Sequence, residues 1–199
     1  MSLLGRLTTL SAPDPTRSLK QDHDRFRALL KEAEKTTERS HLRRQRIFDE
    51  FTTLLALHEN IEEQTLYAAL KVHAKTRPIV EEGRQEHHVT DLLVAELAGI
   101  PVTAKDWGSK FHVMGECLEH HLGEEEDDMF PLVNEVLSTR QLTGLHARME
   151  KMRARAENPR SPVATRTVPR RRGPTRVPSA AAGKRKPRAS RAQATGNGR

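Results

Sequence analysis

Residues 58–67 and 121–130 can be laid on one another without a gap, and the pattern they share constrains the fold more than any other feature of the chain. In each, a histidine (His58, His121) is followed by glutamates four and five residues on (Glu62 and Glu63; Glu125 and Glu126). An apolar residue stands eight on (Leu66; Met129) and an aromatic nine on (Tyr67; Phe130). A four-residue step along an α-helix overshoots one full turn by about 40°, so each histidine shares a face with its first glutamate. That face is otherwise turned to the interior. Leu54 and Phe51 precede His58 by four and seven, and Cys117 and Met114 hold the same offsets before His121. A carboxylate and an imidazole are thus aimed inward twice, which is costly unless a partner replaces their lost hydration. A shared cation meets that need. Imidazole nitrogen with carboxylate oxygen suits iron, manganese or zinc, and two glutamates can bridge two ions.

The surrounding pattern is helical throughout. Leu19, Phe26, Leu29, Leu30 and Ala33 repeat at three- and four-residue spacing from about Ser18. A second helix, with Ser40 as its candidate cap, carries Ile47, Phe48, Phe51, Leu54, Leu55, Ile61, Leu66 and Leu70 and is expected to run to about Thr76. Pro78 then suits the first turn of a third, which includes Val80, Val89, Leu92, Leu93 and Leu97 and ends at Gly99 and Pro101. A fourth starts near Lys105, with Trp107 anchoring it, carries Phe111, Met114, Leu118, Leu122, Met129 and Leu132, and is expected to kink or stop at Pro131. Leu142, Leu145, Met149 and Met152 predict a short fifth helix on the outside. Four long amphipathic segments with short connections and no strand signal predict an all-α, antiparallel up-down four-helix bundle.

The first and third helices each offer a histidine to the same interior. His23 has Phe26, Leu29 and Leu30 at +3, +6 and +7. On the third helix the choice lies between His87 and His88. His87 is preferred, because Leu93 and Leu97 then stand where Leu29 and Ala33 stand relative to His23. The candidate ligand set is His23, His58, Glu62, His87, His121 and Glu125. His112 falls about half a turn from His121, and His41, His73, His120 and His146 read as surface residues; Cys117 reads as core packing.

Charge divides the chain. Residues 153–199 hold fourteen Lys or Arg against one acid, Glu157, whereas the rest of the chain is net acidic, so the overall +7 hides an acidic body with a basic tail. Prolines 159, 162, 169, 174, 178 and 187 exclude a helix there, and a disordered tail is expected over 153–199, with 1–16 a loose lead-in and 17–152 the bundle. The clusters Arg170, Arg171, Arg172 and Lys184, Arg185, Lys186, Arg188 fit weak, non-specific binding to nucleic-acid phosphates; no aromatic interleaves them, so base stacking is not indicated. A nucleic-acid-associated protein with the bundle as scaffold is therefore the alternative reading. A lone cysteine excludes an intrachain disulfide, and the lack of a signal-peptide core or a membrane-length apolar run leads to a cytoplasmic expectation.

The order His23, His58 with Glu62, His87, His121 with Glu125, one unit per helix, resembles the hemerythrin-like family, specifically its His-His-Glu cation-binding domain. The resemblance extends over roughly residues 17 to 137 and includes Leu66, Tyr67 and Leu70 after one pair and Met129, Phe130 and Pro131 after the other. It implies two non-haem iron ions held by those six residues, with coordination positions left for O2, NO or peroxide. Binding, sensing or detoxifying such molecules, or handling iron, follows as the expected role, and a peroxide- or NO-consuming activity belongs to the same chemistry. One departure bears on O2 carriage. Oxygen-carrying relatives supply a second histidine four residues after the first on helix three, where this chain has Asp91; Asp91, Glu59 and Glu126 are the residues near enough in sequence to add a ligand.

Overall fold

The computed structural model describes residues 14–158, and every regular element among them is helical. Four segments form the bundle: α1 (Pro15–Glu34), α2 (His41–Gln64) with its short continuation α3 (Leu66–Leu70), α4 (Arg77–Ala98), and α5 (Trp107–Glu124), which passes through a π-helical turn (Glu125–Met129) into α6 (Phe130–Val136). α1 packs on α2 and α5, and α4 packs on α5 and α2, so the four close into a ring. A further helix, α7 (Thr139–Glu157), lies against α1 and α2. No helix among the described residues is long and apolar enough to cross a membrane.

Two apolar plugs fill the bundle, and the histidines lie between them. Phe26, Phe51, Leu55, Phe111, Met114 and Leu118 belong to one plug. Leu19, Ile61, Leu66, Tyr67, Met129 and Phe130 belong to the other. Along α1 the order is Leu19, His23, Phe26; along α2 it is Leu55, His58, Ile61; along the fourth segment it is Leu118 and His121 of α5, then Met129 of the π turn. The polar layer is thus sealed from water on both sides by close-packed side chains.

Local chemistry explains where the elements depart from expectation. α1 begins at Pro15, ahead of Ser18, because Asp14 is an N-cap: its Oδ1 accepts from the Thr16 N–H at 3.0 Å, and a first-turn proline has no N–H to waste. Ser40 does not cap α2 with its side chain; its Oγ accepts from the Thr37 N–H in a 3-10 turn over Glu38–Ser40. α2 does not run unbroken to Thr76. The Thr65 hydroxyl donates back to the Ile61 carbonyl at 2.6 Å, the Thr65 backbone leaves the helical region, and α3 starts anew at Leu66. Pro131 does not stop the fourth segment, which continues through it to Val136. A proline ring crowds the carbonyl four residues earlier in an α-helix, and the wider π turn just before it relieves that contact. α4 buries Val80, Gly83, His87, Thr90, Val94 and Leu97, a three-four repeat, while Val89 and Leu92 are exposed. α7 has nineteen residues and a Ser138–Gln141 capping box, so it is not short, and Arg153 to Glu157 continue it where the tail was expected to begin. The loose lead-in through Pro13 and the basic tail from Pro159 lie outside the described residues.

Candidate metal centre

The six residues singled out by spacing converge in the sealed layer, and none of them exceeds 3% exposure. They form two groups. His23, His58, Glu62 and Glu125 bring one donor atom each within 4.8 Å of one another; Glu62, His87 and His121 do the same. Glu62 belongs to both. His87 is buried and His88 exposed, so His87 is the histidine that α4 places in this layer. Neither group includes Asp91, Glu59 or Glu126. His112 is exposed beside Glu116, His41 and His120 are exposed, and His73 and His146 are half-buried.

Every histidine in the layer uses its two nitrogens the same way. Nδ1 of His23 meets Glu126 Oε1 at 2.9 Å, Nδ1 of His58 meets Asp22 Oδ2 at 3.2 Å, Nδ1 of His87 meets Glu63 Oε1 at 3.4 Å, and Nδ1 of His121 meets Glu86 Oε2 at 2.8 Å. A carboxylate only accepts, so each Nδ1 carries a proton and each Nε2 turns inward. There the Nε2 atoms face the glutamates: His23 to Glu125 Oε2 at 3.4 Å, His58 to Glu62 Oε2 at 3.2 Å, His87 to Glu62 Oε2 at 3.5 Å, His121 to Glu125 Oε2 at 3.8 Å. His87 Nε2 and His121 Nε2 are 3.1 Å apart.

The four outer acids form a closed ring. Each is the sequence neighbour of an inward ligand, yet each serves the histidine of the next helix: Asp22 of α1 holds His58 of α2, Glu63 of α2 holds His87 of α4, Glu86 of α4 holds His121 of α5, and Glu126 of the π turn holds His23 of α1. The acids precede the ligand on α1 and α4 and follow it on α2 and the π turn. In right-handed helices of alternating direction, a step back on one and a step forward on the next rotate in the same sense seen from one end. Sequence spacing missed this ring, although the adjacent acids were visible.

Charge follows from the same contacts. Burial alone would depress His58, but the Glu62 charge and the Asp22 hydrogen bond outweigh it and lift its pKa to about 10. Burial likewise opposes protonation of His87, and the carboxylates of Glu62 and Glu63 beside it carry it up to about 10. Burial pushes Glu62 up, but the two imidazoles beside it hold it well below the usual carboxylate range. Burial pushes Glu126 up too, and Lys20, Arg27 and His23 pull it down to about 2.

The donor set fits a cation. His23 Nε2, His58 Nε2, both Glu62 oxygens and Glu125 Oε2 are buried with no aligned hydrogen-bond partner among the described residues. Five orphaned nitrogen and oxygen atoms in one dry layer are far from the usual satisfaction of buried polar groups. Imidazoles whose other nitrogen rests on a carboxylate are the usual form of a histidine metal ligand.

Tyr67 completes the layer from α3. Its hydroxyl donates to Glu125 Oε1 at 2.7 Å, which leaves Oε2 toward His23 and His121, and its ring stacks on His87 with centroids 5.4 Å apart. Gly83 makes this approach feasible: a Cβ there would lie 2.5 Å from the Tyr67 hydroxyl and 3.2 Å from Cζ. Gly83→Ala is expected to destabilise the protein by roughly 1–3 kcal/mol through this overpacking, offset by up to about 1 kcal/mol from better helix propensity. Thermal melts of the variant, with Gly83→Ala in a Tyr67→Phe background as control, check this; an unchanged melting temperature in the wild-type background would sink it.

Comparison with known proteins bears on the same residues. The sequence model described as the hemerythrin HHE cation binding domain matches residues 14–133. Among solved structures, a hemerythrin HHE cation binding domain-containing protein from Mycobacterium kansasii is similar: 26% identical, with a TM-score of 0.60, covering 69% of this chain and 86% of that one. A comparison with curated proteins gave no match.

Proposed function

Since the chain belongs to the hemerythrin HHE cation-binding family, we propose that its bundle holds two non-haem irons. One would sit among His23, His58, Glu62 and Glu125, the other among Glu62, His87 and His121, and the pair would bind, sense or consume O2, NO or peroxide, or handle iron. The observation that carries this reading is the common orientation of four imidazoles, Nδ1 outward on a carboxylate and Nε2 inward on a shared pair of glutamates. Bound iron would supply vacant coordination positions and a reversible change of oxidation state. The chain's own residues do the rest. Glu62 offers an oxygen to each position, Glu125 is turned by Tyr67, and the outer ring fixes all four imidazole tautomers. The apolar plugs exclude water, which strengthens every charge interaction inside.

The test is elemental analysis with a near-ultraviolet and visible spectrum, on protein expressed with iron and on the double variant His58→Ala, His121→Ala. Two irons per chain with absorption that vanishes in the double variant is the expected result. No iron, or a single zinc indifferent to both substitutions, would overturn the reading. Stopped-flow mixing of the reduced protein with O2, NO and peroxide then separates the candidate small ligands.

A further inference from the structure

α7 lies beyond the segment that matches the family model, and it reaches the metal layer. Leu145 and Met149 bury its inner face in the plug that also contains Leu19 and Ile61. From the next turn, Arg153 forks onto Asp22: Nη2 to Oδ2 at 2.6 Å and Nη1 to Oδ1 at 3.0 Å, with a further bond from Nη2 to the Ser18 carbonyl at 3.4 Å. The Asp22 oxygen that takes the shorter of these bonds is the one that holds His58 Nδ1. Five residues earlier, Arg148 donates to the Gln64 carbonyl at 2.9 Å, at the end of the helix that carries His58 and Glu62. α7 therefore grips both helices that supply this corner of the layer. Glu126 at the neighbouring corner is held differently, by Lys20 and Arg27 from within the bundle.

We infer that α7 is a latch on one half of the metal centre: by clamping Asp22, Arg153 orients the His58 imidazole and sets how tightly the ion among His23, His58, Glu62 and Glu125 is retained. A two-pronged guanidinium contact fixes both oxygens of Asp22 in one plane, which a lysine's single ammonium does not. With the clamp gone, Asp22 is free to rotate, and the imidazole it steers loses its orientation. Arg153 and Asp22 are positioning residues, since both act through His58. Retention of that one ion then answers to anything that loosens α7, the helix from which residues 159–199 continue.

The inference rests on the two-metal reading, and cobalt(II) titration of the metal-free full-length chain separates the two. Wild-type protein is expected to take up two ions. In Arg153→Gln, one of the two is expected to bind more weakly, by up to the roughly 10- to 100-fold that follows loss of a metal ligand's outer partner. A chelator should also release that ion faster. Arg153→Lys should fall between, and Asp22→Asn should weaken the same ion, with the double variant no worse than the stronger single. In the loaded protein, one of the four exchangeable imidazole N–H resonances should move in Arg153→Gln while three stay. A merely structural role for α7 would lower the melting temperature of the metal-free protein and weaken both ions together, and that result overturns the latch. Two ions bound equally well in both Arg153→Gln and Asp22→Asn would also overturn it. Wild-type protein that takes up no cobalt would overturn the two-metal reading and the latch with it.

Discussion

Glu62→Ala is expected to lose the ion at His87 and His121 and to hold the other far more weakly, whereas His121→Ala should affect only the first. Glu62 is the single side chain common to the two donor groups, with Oε2 3.2 Å from His58 Nε2 and 3.5 Å from His87 Nε2. Truncating it removes a carboxylate from each position and leaves two histidines and Glu125 at one, two histidines alone at the other. Two neutral imidazoles with no carboxylate are a poor site for a hard divalent ion. The substitution also strips the buried counter-ion from His58 and His87, whose pKa values are held near 10 largely by Glu62. Leaving a buried charge unpaired costs about 3–5 kcal/mol. At pH 5.5 the metal-free variant should therefore melt well below wild type, and less so at pH 8, where the bereft imidazoles can shed their protons. Cobalt(II) titration of Glu62→Ala beside His121→Ala decides the point. An ion held as tightly as in wild type at either position of Glu62→Ala would mean that the two positions do not share this residue.

The inner layer was legible because it is written locally. His58 and Glu62, and His121 and Glu125, declare a common face by a four-residue step, and flanking apolar residues say which way that face points. His23 needed only Phe26 and Leu29 around it. His87 was harder, because Gly83 and Thr90 complete its buried stripe and neither looks apolar, while Leu92, which does, is exposed. The outer ring could not be read from any one helix. Asp22 sits beside His23 but bonds His58, and Glu86 sits beside His87 but bonds His121, so the pairing exists only once helix order and direction are set. Sequence alone puts Arg153 in the tail, because its neighbours are basic and polar, yet α7 has enough apolar contact through Leu145 and Met149 to dock, and the docked helix carries Arg153 to Asp22. The break at Thr65 comes three residues after Glu62, and the π turn begins at Glu125, so each irregularity lies close to one of the two inward glutamates. Only Pro131 hinted at either one.

Loading the centre is expected to release about two protons per chain near neutral pH, one with each ion. His58 and His87 have pKa values of about 10 in the metal-free protein, so both are imidazolium at pH 7. Their Nδ1 protons lie on Asp22 and Glu63, leaving the Nε2 proton as the one a cation must displace. His58 belongs to one donor group and His87 to the other. Each ion's apparent affinity should then rise about tenfold per pH unit from pH 7 to 9 and level off above about 10, where no proton is left to displace. Folding stability should mirror this. The two histidines are raised on folding, so their contribution to the metal-free protein is complete below the unfolded value near 6.5 and is lost as pH climbs through about 10. Glu62 is lowered, so its contribution is present above the unfolded value near 4.5 and is lost as pH falls through its lower folded value. Metal-free protein should be most stable between those limits and weaken toward pH 10, while the loaded protein, its imidazoles already deprotonated at Nε2, should show no such alkaline decline. An indicator-dye titration with cobalt(II) at pH 7 counts the protons directly. Uptake of two ions with no proton release, and an affinity flat across pH 7 to 9, would mean that His58 and His87 wait in the bundle as neutral imidazoles and that Glu62 is balanced by something other than them.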